Sequence, residues 1–136
     1  MNAVIRSIVR FGLFKKFKVC LIYEGYNGLI KGGDHIKEAN LSTVDHIIYK
    51  VSLKTTLSFY LNNDFNPKGG TFIGSSRCKE FREPEGRISA ALTLIQNNIS
   101  KLVVIGGDGS LTGANLLRTE WNSILDNLLK SGITLT

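Results

Sequence analysis

The pentapeptide at residues 106–110, Gly-Gly-Asp-Gly-Ser, contains residue types that suit a phosphate-binding turn. It follows a continuous apolar run at 102–105, and open α/β sheets bind ligands at the carboxyl ends of such strands. Glycines let the backbone approach an anion, and the helix that follows directs free N–H groups and its positive dipole end toward it. The pattern therefore predicts a phosphate site at this turn.

Asp108 lies among these amides and adds a carboxylate at the same place. Mg²⁺ prefers oxygen ligands and usually keeps several waters when it sits on a nucleotide, so Asp108 can hold the ion directly or through water. A tight turn between strand and helix, with Asp108 as helix cap, is also compatible with these five residues. The residues alone leave both interpretations open.

Arginine, rather than lysine, is the predicted phosphate clamp. Neither GxGxxG nor GxxxxGK[ST] occurs in the sequence, which argues against dinucleotide oxidoreductases and P-loop enzymes. Arg77, Arg82 and Arg87 lie within eleven residues around a glycine-flanked loop, and guanidinium groups bind phosphate oxygens bidentately. A solvated basic face is the alternative for these three side chains.

Short apolar runs alternate with amphipathic stretches, which predicts α/β architecture with right-handed crossovers. Residues 18–23 and 102–105 are the predicted buried strands, and 69–74 is a strand-sized piece between glycines. Residues 51–68 have neither strand nor helix periodicity, so we interpret them as an irregular loop.

Three helices are predicted from apolar residues at helical spacing. Pro84 suits the first turn of the middle one, and Ser42 or Thr43 is expected to cap a further, shorter helix that continues through Ile48. The three apolar faces consist of Val4, Ile5, Ile8, Val9 and Leu13; of Ile88, Ala91, Leu92 and Ile95; and of Leu116, Leu117, Trp121, Ile124, Leu125 and Leu128.

Composition bounds the protein class. The 136 residues are 43% hydrophobic and 21% charged, which fits one globular domain, and the formal charge of +6 favours an anionic partner. Two cysteines without a CxxC pair argue against a zinc module or a disulfide scaffold. The acid-free, basic segment before Glu24 fits either a transit peptide or an ordinary amphipathic helix.

Four stretches together resemble the ATP-dependent 6-phosphofructokinases, the eukaryotic branch in particular: MNAVIRSIVR, EGYNGLIKGGDHIKEA, GGTFIGSSRCKEFREPEGRISAAL and LVVIGGDGSLTGANLLRTEW. The resemblance implies part of a three-layer, Rossmann-like α/β sandwich with a mainly parallel sheet. It also implies that the first stretch is a helix following a glycine-rich loop rather than a presequence. The implied reaction is transfer of the γ-phosphoryl of MgATP to the 1-hydroxyl of fructose 6-phosphate in glycolysis.

The resemblance also assigns site residues. Gly107, Asp108, Gly109 and Ser110 would contact the ATP phosphates, with Asp108 on Mg²⁺. Arg77 and Cys78 would lie along the nucleotide, and Arg77 could offset the charge that develops on the transferring phosphoryl group. The family's pyrophosphate-using branch has an acid at the position of Gly109, so glycine favours ATP as donor.

Arg6 and Arg10 match arginines that face an effector phosphate in bacterial relatives, and a surface helix is the alternative. The resemblance further implies a cytoplasmic, allosteric enzyme that is typically tetrameric, with no nucleic-acid or membrane partner. Alternatives are a non-catalytic fragment that binds nucleotide or a subunit, and another GGDG kinase acting on diacylglycerol or NAD.

The sequence departs from the family pattern in three ways. The GGDxPG loop expected before Met1 and the TIDND segment expected after Thr136, whose aspartate is the general base, do not occur, so we expect an N-terminal fragment without turnover by itself. Residues 51–68 are an insertion that the family lacks, for which we hypothesise a retained intron.

Overall fold

The computed structural model describes residues 1–45, 47 and 71–131 of the chain. Its contacts divide the chain into two compact units. The first comprises Met1–Leu21 with Lys37–Gly74, and the second comprises Ile22–Ile36 with Ser75–Thr136. The interpretation of 51–68 as an irregular insertion concerns residues outside the described part of the chain.

The first unit contains helix α1, Asn2–Phe14, which packs against the short helix α3, Leu41–Asp45. Ile5 and Val9 of α1 are buried, as the apolar spacing predicts, because residues four apart share one face of a helix. The cap of α3 differs from the prediction. The Asn40 side chain accepts the Thr43 amide at 2.9 Å, while Thr43 Oγ1 accepts the Asn40 amide at 3.1 Å.

This reciprocal pair makes Asn40, rather than Ser42 or Thr43, the residue whose side chain satisfies a first-turn amide of α3. The helix ends at Asp45, and Ile47, which belongs to the predicted continuation, is buried in a bend rather than helical; the other two predicted positions, His46 and Ile48, lie outside the described residues.

Strand β1, Cys20–Ile22, pairs with strand β2, Ile36–Glu38. The Tyr23 amide donates to the His35 carbonyl and the Ala39 amide to the Val19 carbonyl, both at 2.8 Å, so the strands run antiparallel. The strand predicted within 18–23 is therefore confirmed. Within the described residues this pair is the whole sheet, and the parallel sandwich expected from the resemblance is not seen in them.

The second unit has a helical core. The elements around this core are three helices, α2 (Tyr26–Lys31), α4 (Pro84–Gln96) and α5 (Asp108–Lys130), and a 3₁₀ turn at Glu80–Arg82. A second 3₁₀ turn, at Gly33–His35, precedes β2. Pro84 opens α4 as predicted, and α4 ends before Asn97 and Asn98. The buried cluster consists of Leu29, Phe81, Ala90, Ala91, Leu94, Leu117, Ile124 and Leu128. The predicted face of α5 is confirmed at Leu117, Ile124 and Leu128. The predicted face of α4 is confirmed only at Ala91, because Ile88, Leu92 and Ile95 are partly buried and the buried positions beside Ala91 are Ala90 and Leu94.

Two predicted strands are wrong. Residues 102–105 form no ladder with any described residue, and Val103 is 61% exposed. A strand requires a neighbour for its amides and carbonyls, and an apolar run does not specify one. The described part of 69–74 is a turn, in which the Gly74 amide donates to the Thr71 carbonyl and Gly74 has a φ of 72°. No described helix is long and apolar enough to span a bilayer.

Candidate functional site

Helix α5 begins directly in the glycine-rich turn. Gly107 is the N-cap residue, with φ −89° and ψ −166°, and its carbonyl accepts the amides of Ser110 at 2.9 Å and Leu111 at 3.1 Å. Among the described residues, no acceptor binds the amides of Asp108 and Gly109. These first-turn N–H groups lie at the positive end of a 23-residue helix, which is the arrangement that binds anions.

The carboxylate of Asp108 is exposed, and no side-chain hydrogen bond caps α5. The alternative in which Asp108 serves as helix cap is therefore not the arrangement in the structure. No described residue forms an ion pair with this carboxylate. Asp108 thus carries an unneutralised negative charge beside free amide donors, and its oxygens are accessible to a cation.

The start of α5 is hydrogen-bonded to the segment that follows β1. Tyr26 Oη donates to the Ser110 carbonyl at 2.6 Å, and burial raises the pKa of the Tyr26 hydroxyl. The Tyr26 ring stacks on Phe81 with centroids 3.8 Å apart and ring planes 12° apart. Gly113 of α5 faces both rings, and a Cβ there would lie 3.0 Å from Tyr26 and 3.1 Å from Phe81.

The loop that carries Arg77 is fastened to the same segment. Ser76 Oγ donates to the Glu24 carbonyl at 2.9 Å, two residues before Tyr26. Arg77 is exposed, and no described residue binds its guanidinium group, while Cys78 is half-buried against the helical core. Both the Arg77 loop and the first turn of α5 are therefore anchored on residues 24–26.

Arg87 is not a phosphate clamp. Its side chain is 6% exposed, and Nε and Nη2 donate to the Glu120 carboxylate at 2.6 and 3.0 Å. Nη1 donates to the carbonyls of Phe81 and Arg82. The guanidinium therefore fixes α4, the 3₁₀ turn and α5 to one another. Of the three arginines predicted as clamps, Arg77 and Arg82 are exposed, and no described residue binds either guanidinium.

Arg6 and Arg10 belong to the first unit. Arg10 lies 3.7 Å from Asp45 in a half-exposed ion pair, which fits the surface-helix alternative for that residue. Arg6 Nε is buried without a hydrogen-bond partner among the described residues.

A cavity of about 280 Å³ lies elsewhere in the second unit. Its lining residues are Ile30, Glu80, Glu83, Glu85, Gly86 and Ser89. Three carboxylates at its wall would repel a polyphosphate, so this cavity is a poor nucleotide site. The described residues also contain no group of three or more His, Cys, Asp and Glu side chains that could hold a metal by themselves.

Sequence reasoning missed three contributors to the site: Tyr26, Phe81 and Gly113. Tyr26 and Ser110 are 84 positions apart, and no spacing rule connects positions that far apart. The only signal for Tyr26 is its place in the turn-rich EGYNG segment after a predicted strand.

The chain is similar to known proteins in sequence and in structure. The family model described as phosphofructokinase matches residues 1–134. The chain is 48% identical over 132 residues to the liver-type ATP-dependent 6-phosphofructokinase of Mus musculus, and 46% identical to the muscle type of Homo sapiens. Both alignments cover 97% of this chain and 15% of the relative.

Solved structures agree with the sequence comparison. Phosphofructokinase from Saccharomyces cerevisiae is matched with a TM-score of 0.81 and 39% identity, over 98% of this chain and 15% of that chain. The T-state enzyme from Pichia pastoris is matched with a TM-score of 0.73 and 45% identity, over 89% of this chain and 11% of that chain. The chain therefore spans about 15% of the length of its curated relatives. Because the family model covers nearly every residue, the chain belongs to the phosphofructokinase family.

Proposed function

We propose that this chain forms one wall of the MgATP site of an ATP-dependent 6-phosphofructokinase. The complete enzyme would move the γ-phosphoryl of ATP to the 1-hydroxyl of fructose 6-phosphate. The observation that carries the proposal is the first turn of α5, where the amides of Asp108 and Gly109 and the Asp108 carboxylate have no partner among the described residues. The names of the relatives add the substrate class, since they are ATP-dependent 6-phosphofructokinases.

The phosphates of ATP would bind at Gly107, Asp108, Gly109 and Ser110. Space supports this placement, because a Cβ built on Gly107 or Gly109 would have no neighbouring atom of the described residues within 4 Å. A helix N-terminus carries roughly half a positive charge, which favours a polyanion at this position. Arg77, whose guanidinium is exposed, would offset charge on the transferring phosphoryl group, and Cys78 would lie along the nucleotide.

Mg²⁺ fits Asp108 as a single carboxylate ligand. The described residues offer no protein cage for a metal, and Mg²⁺ on nucleotides is usually held by one or two carboxylates, phosphate oxygens and water. When bound, the ion would neutralise the phosphate charge that builds up during transfer. Asp108 would hold and orient the ion without a side-chain ligand from another element.

The residues assigned to the nucleotide site neither bind fructose 6-phosphate nor remove the proton from its hydroxyl. The base that removes the proton from the sugar hydroxyl would lie on the family's TIDND segment, which is not among these 136 residues. We therefore expect no turnover from the 136-residue chain in a coupled assay. We further propose that the fructose 6-phosphate site lies mostly on other segments, that the enzyme assembles as a tetramer, and that it works in the cytoplasm.

Isothermal titration of MgATP into the 136-residue chain tests the nucleotide site. Asp108→Asn should weaken binding at least about tenfold, because the carboxylate is the expected metal ligand. Asp126→Asn is the matched control, since Asp126 is an exposed carboxylate on the same helix far from its N-terminus. Arg77→Gln should also weaken binding, with Arg118→Gln as its control.

Binding that is insensitive to Asp108→Asn would refute the proposed site and favour a fragment that interacts with nucleotide or with a subunit by another surface. Tighter binding of NAD or diacylglycerol than of MgATP would favour one of the other GGDG kinases. Normal turnover by the chain alone would contradict the expected lack of a base.

A further inference from the structure

We propose that Tyr26 is a positioning residue, which sets the first turn of α5 at a fixed place relative to the Arg77 loop. The inference rests on the proposed nucleotide site, because it concerns how that site is held in shape. Tyr26 itself need not touch the nucleotide. Its hydroxyl and its ring act on two separate parts of the site.

The hydroxyl acts on the backbone of the phosphate-binding turn. Tyr26 Oη donates to the Ser110 carbonyl at 2.6 Å, and Ser110 is the third residue of α5. A helical carbonyl has a second lone pair beyond the one used by the amide four residues later, so this bond is additional to the helix ladder. Helix ends fray because they lack such bonds, and the additional bond therefore opposes fraying at the turn that would bind phosphate.

The ring determines the direction of that hydroxyl. It stacks on Phe81, which is 3% exposed, with centroids 3.8 Å apart. A Cβ at Gly113 would lie 3.0 Å from the Tyr26 ring, tighter than an ordinary van der Waals contact. Gly113 lies against both stacked rings, since a Cβ there would also lie 3.1 Å from Phe81, and the stacking together with this close contact leaves the hydroxyl little freedom.

The backbone of the same segment holds the other part of the site. Glu24 and Gly25 both have a φ of 59°, so the chain turns sharply between β1 and Tyr26. This turn presents the Glu24 carbonyl to Ser76 Oγ at 2.9 Å, one residue before Arg77. Residues 24–26 thus bind the Arg77 loop through a carbonyl and the α5 turn through a hydroxyl. Each part is therefore linked to this segment by a hydrogen bond.

Tyr26→Phe tests the inference, because it removes the hydroxyl and keeps the stacked ring. Hydrogen exchange of the 136-residue chain without ligand should show faster exchange at the amides of Ser110 and Leu111, with exchange in α4 unchanged. Titration with MgATP should give a Kd raised about two- to tenfold, as expected for one neutral hydrogen bond. Ser123→Ala is the matched control, since it removes an exposed hydroxyl that bonds only within α5.

The outcomes separate positioning from a structural role. A merely structural hydroxyl would accelerate exchange across the whole second unit in proportion to lost stability, and this result would overturn the inference. Unchanged exchange at Ser110 and Leu111, or an unchanged Kd, would also overturn it while leaving the nucleotide site in place. Absence of MgATP binding in the unsubstituted chain would refute the proposed function and the inference with it.

Discussion

Replacing Glu120 by alanine is expected to destabilise the second unit by about 2 to 4 kcal/mol. Removing one partner of a buried ion pair typically costs about 3 to 5 kcal/mol, because the other charge stays buried. The Arg87 side chain is 6% exposed, which places this pair in that class. The Glu120 side chain is 34% exposed, so water can enter after truncation and lower the cost.

Part of the hydrogen bonding of Arg87 survives the loss of the Glu120 carboxylate. Arg87 Nη1 keeps its bonds to the carbonyls of Phe81 and Arg82, so the guanidinium is not left wholly unsatisfied. Alanine is the best helix former, and α5 therefore loses nothing in propensity at position 120. The expected loss is thus due to the ion pair itself.

Urea unfolding followed by the fluorescence of Trp121 measures this effect. Trp121 is the single tryptophan, packs partly buried against the helical core and neighbours Glu120 in sequence. With a urea m-value of about 2 kcal/mol per molar, the midpoint should fall by about 1 to 2 M. Glu38→Ala, followed by circular dichroism, is the control, because the Lys18–Glu38 pair is 66% and 62% exposed and should contribute under about 1 kcal/mol.

A midpoint shift no larger for Glu120→Ala than for Glu38→Ala would refute the structural role of Arg87. Arg87 would then become a candidate phosphate ligand again, beside Arg77 and Arg82. Arg77→Gln, by contrast with Glu120→Ala, should leave the urea midpoint nearly unchanged, since the Arg77 guanidinium binds no described residue.

Two further predictions concern the site. Gly109→Asp should leave the urea midpoint unchanged or slightly higher, because the new side chain enters open space in the first helical turn. The same substitution should raise the Kd for MgATP more than about tenfold, because the added carboxylate repels the phosphates. Gly109→Asn, the uncharged control, should bind MgATP more tightly than Gly109→Asp in the same titration. Burial raises the pKa of Tyr26 above its ordinary value near 10, so the folded state favours the neutral phenol; stability should fall as the pH rises above about 10, and urea midpoints from pH 8 to 11 should fall less in Tyr26→Phe.

The sequence predicted those parts of the fold that local rules determine. The spacing of Ile5 and Val9, and of Leu117, Ile124 and Leu128, identified the buried faces because helical periodicity is a property of neighbouring residues. The glycine-rich turn at 106–110 was recognised as a helix start for the same reason. Asn40 was missed as a cap because Ser, Thr and Asn are nearly equivalent in that role.

Partners distant in sequence could not be predicted. Arg87 and Glu120 are 33 positions apart, and an arginine near a glycine-flanked loop has the same local pattern whether it binds a phosphate or a carboxylate. The run at 102–105 has a strand composition, but strand formation depends on a neighbour that the run does not encode. The resemblance to phosphofructokinases supplied the family, while these tertiary contacts had to come from the structure.

Glycine at positions 106, 107 and 109 of the turn is not explained by one physical cause, and this difference supports the binding of a ligand there. A Cβ at Gly106 would lie 2.4 Å from Ser110 Oγ, so packing within the protein accounts for glycine at that position. Gly107 has a φ of −89°, which any residue adopts, and a Cβ there or at Gly109 would meet nothing within 4 Å. Neither backbone conformation nor packing among the described residues accounts for glycine at 107 and 109. Close approach of a polyanion to the backbone does account for both, because a side chain at either position would occupy the space that the phosphates need.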